Sequence, residues 1–167
     1  MSNHNDHQVL PPVRSDMPSE IRLYVIQLLQ QTLACSVDLR SQVKQACWNV
    51  KGHDFSQLHT LFATMATELD AYTDLVAERI VVLGGVARGT ARTATRQSTL
   101  PEYPGAIMDG PAHVRALAER VAPYATALRD NITLAADVED AGSAAVYTDI
   151  SRGVDKQLWV LDAHLHR

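Results

Sequence analysis

The protein has 167 residues and a formal net charge of −4 at pH 7, and 46% of its residues are hydrophobic while only 5% are aromatic. This length predicts one domain whose core is large enough to fold without disulfides or structural metals. The acidic balance argues against a dedicated nucleic-acid binder, since neutralising phosphates requires a surplus of Lys and Arg. A composition rich in Ala and Leu predicts an all-α fold.

Residues 1–18 form a polar segment with several prolines and no apolar periodicity, which predicts a flexible N-terminal arm. The sequence Pro18-Ser19-Glu20 is typical of a helix start, so a helical domain is expected over residues 19–167. The N-terminus has no signal-peptide pattern, and no stretch reaches the roughly 18 consecutive apolar residues that a membrane span needs. We therefore expect a cytoplasmic protein without a membrane partner.

Apolar residues recur every three or four positions over residues 21–50, which predicts a first long helix that ends at Gly52. Cys35 and Cys47 lie on this helix about 18 Å apart along its axis, so a disulfide within the chain is excluded and both are expected to be reduced thiols. A second apolar stripe over residues 58–83 predicts another long helix that stops at Gly84-Gly85.

Residues 86–110 predict a long connection that contains one short helix, because the stretch is too long and too rich in proline for a tight turn. A third helix is predicted to start at Asp109-Gly110-Pro111, and a fourth follows a break near residues 140–143. Two short connections and one long crossover are typical of a ferritin-like four-helix bundle. In this topology the end of the first helix, the start of the second and the end of the fourth lie together.

Asp74 and Glu78 lie four residues apart on the second predicted helix, so both carboxylates project from one face. Paired carboxylate oxygens suit a divalent cation such as iron or manganese and leave coordination positions open. The alternative is a solvated acidic turn that pairs with Arg79 or a neighbouring Lys. Apolar residues on both sides of the pair, and an upstream histidine at position 59, favour a metal site.

His59 and the Asp74/Glu78 pair share one helix but are separated by about 22 Å along its axis, so they cannot bind one metal ion within a single chain. If His59 is a ligand, a second subunit must lie antiparallel and bring its carboxylates to the first subunit's imidazole. A two-fold interface satisfies this requirement and creates two equivalent sites. The alternative is that His59 is an ordinary surface or core histidine.

The segments ACWNVKGHDFSQLHTLF and DLVAERIVVLGG resemble the Dps family, the DNA-binding proteins from starved cells, which are miniferritins. The resemblance continues through GTARTATRQSTLPEYP and ISRGVDKQLWVLDAHL and so covers nearly all of the chain after the arm. It implies a hollow homododecamer with ferroxidase centres at two-fold interfaces. These centres are expected to oxidise Fe(II) with hydrogen peroxide or oxygen before ferric mineral is stored. Iron is the implied metal, with zinc as a potential substitute.

By this resemblance His59 is the imidazole ligand from one subunit, and Asp74 and Glu78 are carboxylate ligands from another. The family's histidine before Trp-Asn is replaced by Cys47, and its aspartate one turn after the LH histidine is replaced by Ala63. Cys47 is either a thiolate ligand or a small buried hydrophobe, whereas Ala63 binds no metal.

His164 is a candidate replacement ligand, because the bundle topology places it at the same end as His59; the alternative is a frayed C-terminal residue. Trp48 resembles the family's tryptophan near the iron and is a candidate for electron transfer, with a core aromatic as the alternative. Trp159 on the fourth helix is predicted to be a packing residue.

Asp140 and Asp149 lie near the break between the third and fourth helices, where family members have an acidic ion channel. A solvated acidic loop is the alternative. DNA binding is expected to be weak or absent, because residues 1–18 contain one Arg, no Lys and two Asp. The function favoured is an iron-oxidising and iron-storing miniferritin that protects against oxidative damage. The alternative is a Dps-like cage with impaired ferroxidase activity that acts as a metal buffer or as a DNA-associated structural protein.

Overall fold

The structure is a computed structural model that describes residues 10–166. Within this range the elements of regular secondary structure are all helices, with one isolated β-bridge between Lys51 and Asp109 and no strand. The helices are α1 (Ser19–Asn49), α2 (Phe55–Val82), α3 (Ala91–Gln97), α4 (Gly110–Asp137) and α5 (Ala141–Leu165). The prediction of four long helices with one short helix in the crossover is therefore confirmed.

The long helices pack as two antiparallel pairs, α1 with α2 and α4 with α5, and the pairs meet where α1 contacts α4 and α2 contacts α5. Glutamine side chains of α1 form hydrogen bonds with the backbone of the crossover at several points along α1. The Gln30 amide exchanges two hydrogen bonds with the backbone of Arg88, at 2.7 and 3.0 Å. Further along, Gln42 donates to the carbonyl of Pro101 at 3.1 Å. The crossover therefore runs the length of α1 and makes α4 parallel to α2.

Glycine ends α2 where the sequence predicts, because the backbone at Gly84 has a φ of 88°. In this left-handed region a side chain is disfavoured, and the amide of Gly85 closes the helix by donating to the carbonyl of Ile80 at 2.9 Å. The turn between α4 and α5 instead places Glu139, a non-glycine residue, at a φ of 61°. This turn begins two residues before the break predicted near residue 140.

The core is mainly aliphatic, but it also contains two buried tyrosines whose hydroxyls lie within hydrogen-bonding distance of side-chain hydroxyls on α1. The hydroxyls of Tyr124 and Ser36 lie 2.7 Å apart, and those of Tyr147 and Thr32 lie 3.2 Å apart. Burial raises the pKa of both phenols, so they remain neutral hydrogen-bonding groups at physiological pH. Both cysteines are buried and unpaired with each other, as predicted.

Residues 10–18 have no helix, and part of this segment packs on the bundle. Met17 contacts the hydrophobic core, and Val13 lies close to Gly84 at the end of α2. The rest of the predicted flexible arm, residues 1–9, lies outside the described residues. None of the helices between residues 10 and 166 is long and apolar enough to cross a membrane.

A buried histidine joins the crossover to α4 at the end of the bundle where α1 ends. The side chain of His113 is 1% exposed, and its Nδ1 lies 2.6 Å from the hydroxyl of Tyr103. Burial raises the pKa of Tyr103 to about 12, so this hydroxyl is protonated and available as a donor. Burial also lowers the pKa of His113, although the nearby Asp109 and the backbone of Asn49 oppose this effect.

We expect the buried His113 to make the fold less stable in mild acid. Because its pKa is lower in the folded chain than in the unfolded chain, the unfolded state takes up the extra proton first as the pH falls. The stabilising contribution is complete above the ordinary histidine pKa and is lost as the pH falls towards the folded value. Melting curves between pH 7.5 and 5 should show a larger fall in Tm for the wild type than for His113→Gln. Parallel losses in both proteins would contradict this prediction.

Candidate metal centre

Asp74 and Glu78 lie on the continuous helix α2, and both side chains are exposed. Neither carboxylate forms a hydrogen bond or an ion pair with residues 10–166. The guanidinium of Arg79, the partner considered in the alternative interpretation, turns away and donates to Asp140 at 2.7 Å. The pair is therefore available to an external cation or to a second molecule.

His59 lies near the start of α2, and its imidazole is also exposed. Phe55, one turn earlier, packs against it with ring centroids 5.3 Å apart at an angle of 40°. This contact limits the orientations of the imidazole and was missed from the sequence, although the four-residue spacing of Phe and His is a readable signal. Because α2 is unbroken, His59 and Asp74 are separated by about 22 Å along its axis.

No group of three or more His, Cys, Asp or Glu side chains that could hold a metal ion occurs within the described part of one chain. The exposed imidazole thus lies near one end of α2, and the exposed carboxylates lie near the other end. The two groups are therefore too far apart to bind the same metal ion within one chain, as the sequence predicts.

The structure places Cys47 in the core and Ala63 at its edge. Cys47 is 3% exposed, and its Sγ lies 3.6 Å from the backbone carbonyl of His59. The thiol therefore occupies the seam between α1 and α2, where it can donate a weak hydrogen bond, and it packs as a small hydrophobic residue. Ala63 is half-buried one turn after His59 on the same helix face.

His164 lies on the last turn of α5 with an exposed side chain. Its Nδ1 is 2.8 Å from the carbonyl of Val160, and a carbonyl only accepts, so Nδ1 carries the proton and Nε2 of the neutral ring keeps its lone pair. A hydrogen bond of 2.7 Å from Gln157 to Glu68 joins the antiparallel helices α2 and α5 and shows that these two positions are level with each other. About two turns further along α5, His164 therefore reaches the level of His59 along the bundle.

Both tryptophans are exposed in the single chain. Trp48 is 70% exposed, and the ammonium of Lys44 lies 5.7 Å from its ring centroid. The alternative interpretation of Trp48 as a core aromatic is therefore wrong for the isolated chain. Trp159, which was predicted to be a packing residue, is 67% exposed and therefore does not pack within the bundle of a single chain. It lies two residues after the buried Gln157 and faces outwards.

Asp140 and Asp149, the two predicted channel residues, have different surroundings. Asp140 is 1% exposed and caps α5 by accepting a hydrogen bond from the amide of Ser143 at 2.9 Å. Its carboxylate also pairs with Arg79, so it joins the end of α2 to the start of α5. This structural role was missed, because nothing in the sequence brings residues 79 and 140 together. Asp149 is exposed and lies 3.7 Å from Arg152.

Gly142 leaves the space that this ion pair needs. A Cβ at Gly142 would lie 2.7 Å from the guanidinium of Arg79. Arg79 also donates to the hydroxyl of Ser143 at 2.9 Å, so its charged group is held by two residues of the turn. The helix end that carries Glu78 is thereby fixed against α5.

Comparisons with known proteins agree on one family. The family model for the ferritin-like domain matches residues 26–167. The DNA protection during starvation protein of Agrobacterium fabrum is 38% identical over 152 residues, covering 91% of this chain and 94% of that protein. The structure of DpsC from Streptomyces coelicolor has a TM-score of 0.91 at 28% identity and covers 95% of this chain and 93% of its own. The structure of Dps from Microbacterium arborescens in the high iron form has a TM-score of 0.83 at 29% identity, covering 89% and 96%.

Proposed function

The chain belongs to the Dps family of ferritin-like proteins, and on this premise we propose that it oxidises Fe(II) at sites formed between two copies of the chain and stores the ferric product. Membership of this family supports a role in iron storage and in protection against oxidative damage. The observation that carries the finer proposal is the separation of an exposed imidazole and an exposed carboxylate pair along one helix.

In the proposed site, His59 of one chain and the Asp74/Glu78 pair of a second chain bind Fe(II) as substrate. The two carboxylates balance the charge of Fe(II) and, as hard oxygen ligands, favour Fe(III) further. His164 is proposed as an additional ligand from the subunit that supplies His59. Its support is the exposed position at the level of His59 and the Nε2 lone pair. We assign no ligand role to Cys47, because its thiol lies in the core.

Exposed apolar side chains beside both half-sites support a second copy as the partner. Next to Glu78, Val81 and Val82 are 58% and 62% exposed, and they border a shallow apolar depression with Ala77 and Ala87. Phe55 lies beside His59 at the other half-site. Apolar surface of this kind is typical of a protein interface. An antiparallel second copy would cover both surfaces while it completes both sites.

The chemistry that such a site supplies is a one-electron oxidation of each Fe(II). Two Fe(II) ions reduce one hydrogen peroxide molecule to two water molecules as its O–O bond breaks and two protons are taken up. Oxygen is the other proposed oxidant. Consuming Fe(II) together with peroxide limits the formation of hydroxyl radicals. Trp48, which is exposed one residue after Cys47, is proposed to pass electrons to excess oxidant near the site.

For the assembled protein we propose a homododecamer with Fe(II) entry through an acidic channel. Asp149 is the channel residue that the structure supports, because its carboxylate is exposed. Asp140 is proposed to act on the channel only by fixing the start of α5, since Arg79 holds its carboxylate. DNA binding is proposed to be weak, because the chain has 15 Lys and Arg against 19 Asp and Glu.

A second candidate function follows from the two replaced ligands. With Cys47 in the core and Ala63 unable to bind a metal, a cage with impaired ferroxidase activity would serve as a metal buffer or a DNA-associated structural protein. The two candidates share the fold and differ in whether bound Fe(II) is oxidised.

Stopped-flow absorbance after mixing the assembled protein with Fe(II) and hydrogen peroxide distinguishes the two functions. We expect ferric absorbance to rise faster than in a protein-free control under the same conditions, because the carboxylates stabilise the ferric product. Binding of Fe(II) without faster formation of ferric species would favour the metal buffer instead.

A further inference from the structure

We infer that each intersubunit centre of this protein holds one metal ion rather than two. The inference rests on the proposed function and concerns the donors that this particular chain provides. It follows from the side chains at positions 47 and 63, and from the partners of the other carboxylates on α2.

A two-iron site in a ferritin-like bundle is typically built from four carboxylates and two histidines. The donor set proposed here has two carboxylates, from Asp74 and Glu78, together with the imidazoles of His59 and His164. If these four ligands were divided between two metal ions, each ion would have two protein ligands, and no further carboxylate would be left to bridge the two ions. If the four side chains bind one metal ion, that ion has up to four protein ligands and still has room for an oxidant.

Positions 47 and 63, where the family has further metal ligands, provide no ligand in this chain. The Sγ of Cys47 contacts the backbone carbonyl of His59 at 3.6 Å and is buried between α1 and α2. A side chain buried in this position is not presented at the surface where the imidazole of His59 is exposed. Ala63 lies on the same helix face as His59 but ends in a methyl group.

The remaining carboxylates on α2 are engaged elsewhere. Asp70 forms an ion pair with Arg40 at 2.9 Å. Glu68 accepts a hydrogen bond from Gln157 at 2.7 Å, and this contact joins α2 to α5. Neither carboxylate is therefore free to replace the one missing at position 63, so α2 itself contributes only the imidazole of His59 at this end of the centre.

One ion per centre has a consequence for the reaction. A single Fe(II) gives one electron, whereas the reduction of hydrogen peroxide to water takes two. Each peroxide molecule must therefore collect its electrons from two centres or from two Fe(II) ions that bind the same centre in turn. The chemistry balances as before, but two electrons do not leave one centre together.

The test is the number of Co(II) ions bound per chain, measured by equilibrium dialysis and metal analysis on the full-length assembled protein. Subtracting the number bound by His59→Ala removes contributions from unrelated surface sites. We expect a difference of one ion per chain for the wild type. A difference of two would overturn the inference and leave the proposed function intact. No difference would contradict the intersubunit metal site itself.

A gain-of-binding variant tests whether the missing carboxylate limits the site. Ala63→Asp places a carboxylate one turn after His59. We expect the number of Co(II) ions that this variant binds, after subtraction of the number bound by His59→Ala, to rise from one towards two per chain. Thr64→Asp adds the same charge at the next, exposed position, off the face shared with His59, and should stay at one. Because Ala63 is half-buried, an added carboxylate could disturb the fold, so circular dichroism and gel filtration are used to check that the variant folds and assembles. If the folded, assembled Ala63→Asp variant also stays at one ion, the assignment of the limit to position 63 is overturned.

Discussion

Replacing Asp74 with Asn should lower the initial rate of Fe(II) oxidation by about 100-fold, because even residues that only orient metal ligands contribute 10- to 100-fold to affinity or activity. The amide keeps the size of the side chain but removes one of the two negative charges that hold the metal. The side chain of Asp74 forms no hydrogen bond or ion pair within residues 10–166 that would be lost, and it is exposed. The substitution should therefore leave the fold and its thermal stability nearly unchanged.

Asp70→Asn is the matched control for this variant. It makes the same chemical change one turn earlier on α2 and removes only an exposed ion pair with Arg40. We expect its oxidation rate to remain close to that of the wild type. In the same assay, His164→Ala should lower the rate if His164 is a ligand; an unchanged rate and unchanged metal binding would remove it from the proposed site. Equal rates for Asp74→Asn and the wild type would contradict the carboxylate assignment.

His59→Ala should reduce the oxidation rate by a similar factor of about 100, because it removes the imidazole ligand that α2 provides at that half-site. His53→Ala is its control, because His53 is an exposed histidine in the loop before α2. Initial rates of ferric absorbance at matched protein concentration give the comparison. A loss confined to His59→Ala would assign the effect to the proposed ligand, and an equal loss in both variants would point to a general effect of removing histidines.

The helices were predictable because their signals are local. The apolar stripe of α2 has the helical period, and Gly84 adopts the left-handed backbone conformation that ends the helix. The crossover was predictable for the same reason, since its prolines and length exclude a tight turn. The topology then followed from the order of short and long connections.

The ion pair between Arg79 and Asp140 could not be predicted in this way. From the sequence, Arg79 was considered as a partner of the Asp74/Glu78 pair in a solvated acidic turn, and Asp140 was considered as a channel carboxylate. Their contact joins elements that are 61 residues apart in the chain, and only the folded bundle brings them together. A local sequence pattern carries no information about such a pair.

The exposed tryptophans show a related limit. Apolar periodicity indicates which face of a helix is covered, but it does not say whether the covering element belongs to the same chain. Trp159 was predicted to be a packing residue, and it is exposed in the single chain. Asp74, Glu78 and His59 were identified from residue type and spacing, whereas the role proposed for them depends on a second copy that the sequence of one chain does not display.

A mixed assembly tests the central claim, that each site takes its imidazole from one chain and its carboxylates from another. Equal amounts of His59→Ala and Asp74→Asn chains are dissociated together and reassembled. Random pairing across a two-fold interface leaves one intact site in every mixed pair, so about a quarter of all sites recover. We predict about a quarter of the wild-type oxidation rate from a mixture whose components are each nearly inactive. A rate no higher than that of either variant alone would contradict the intersubunit site.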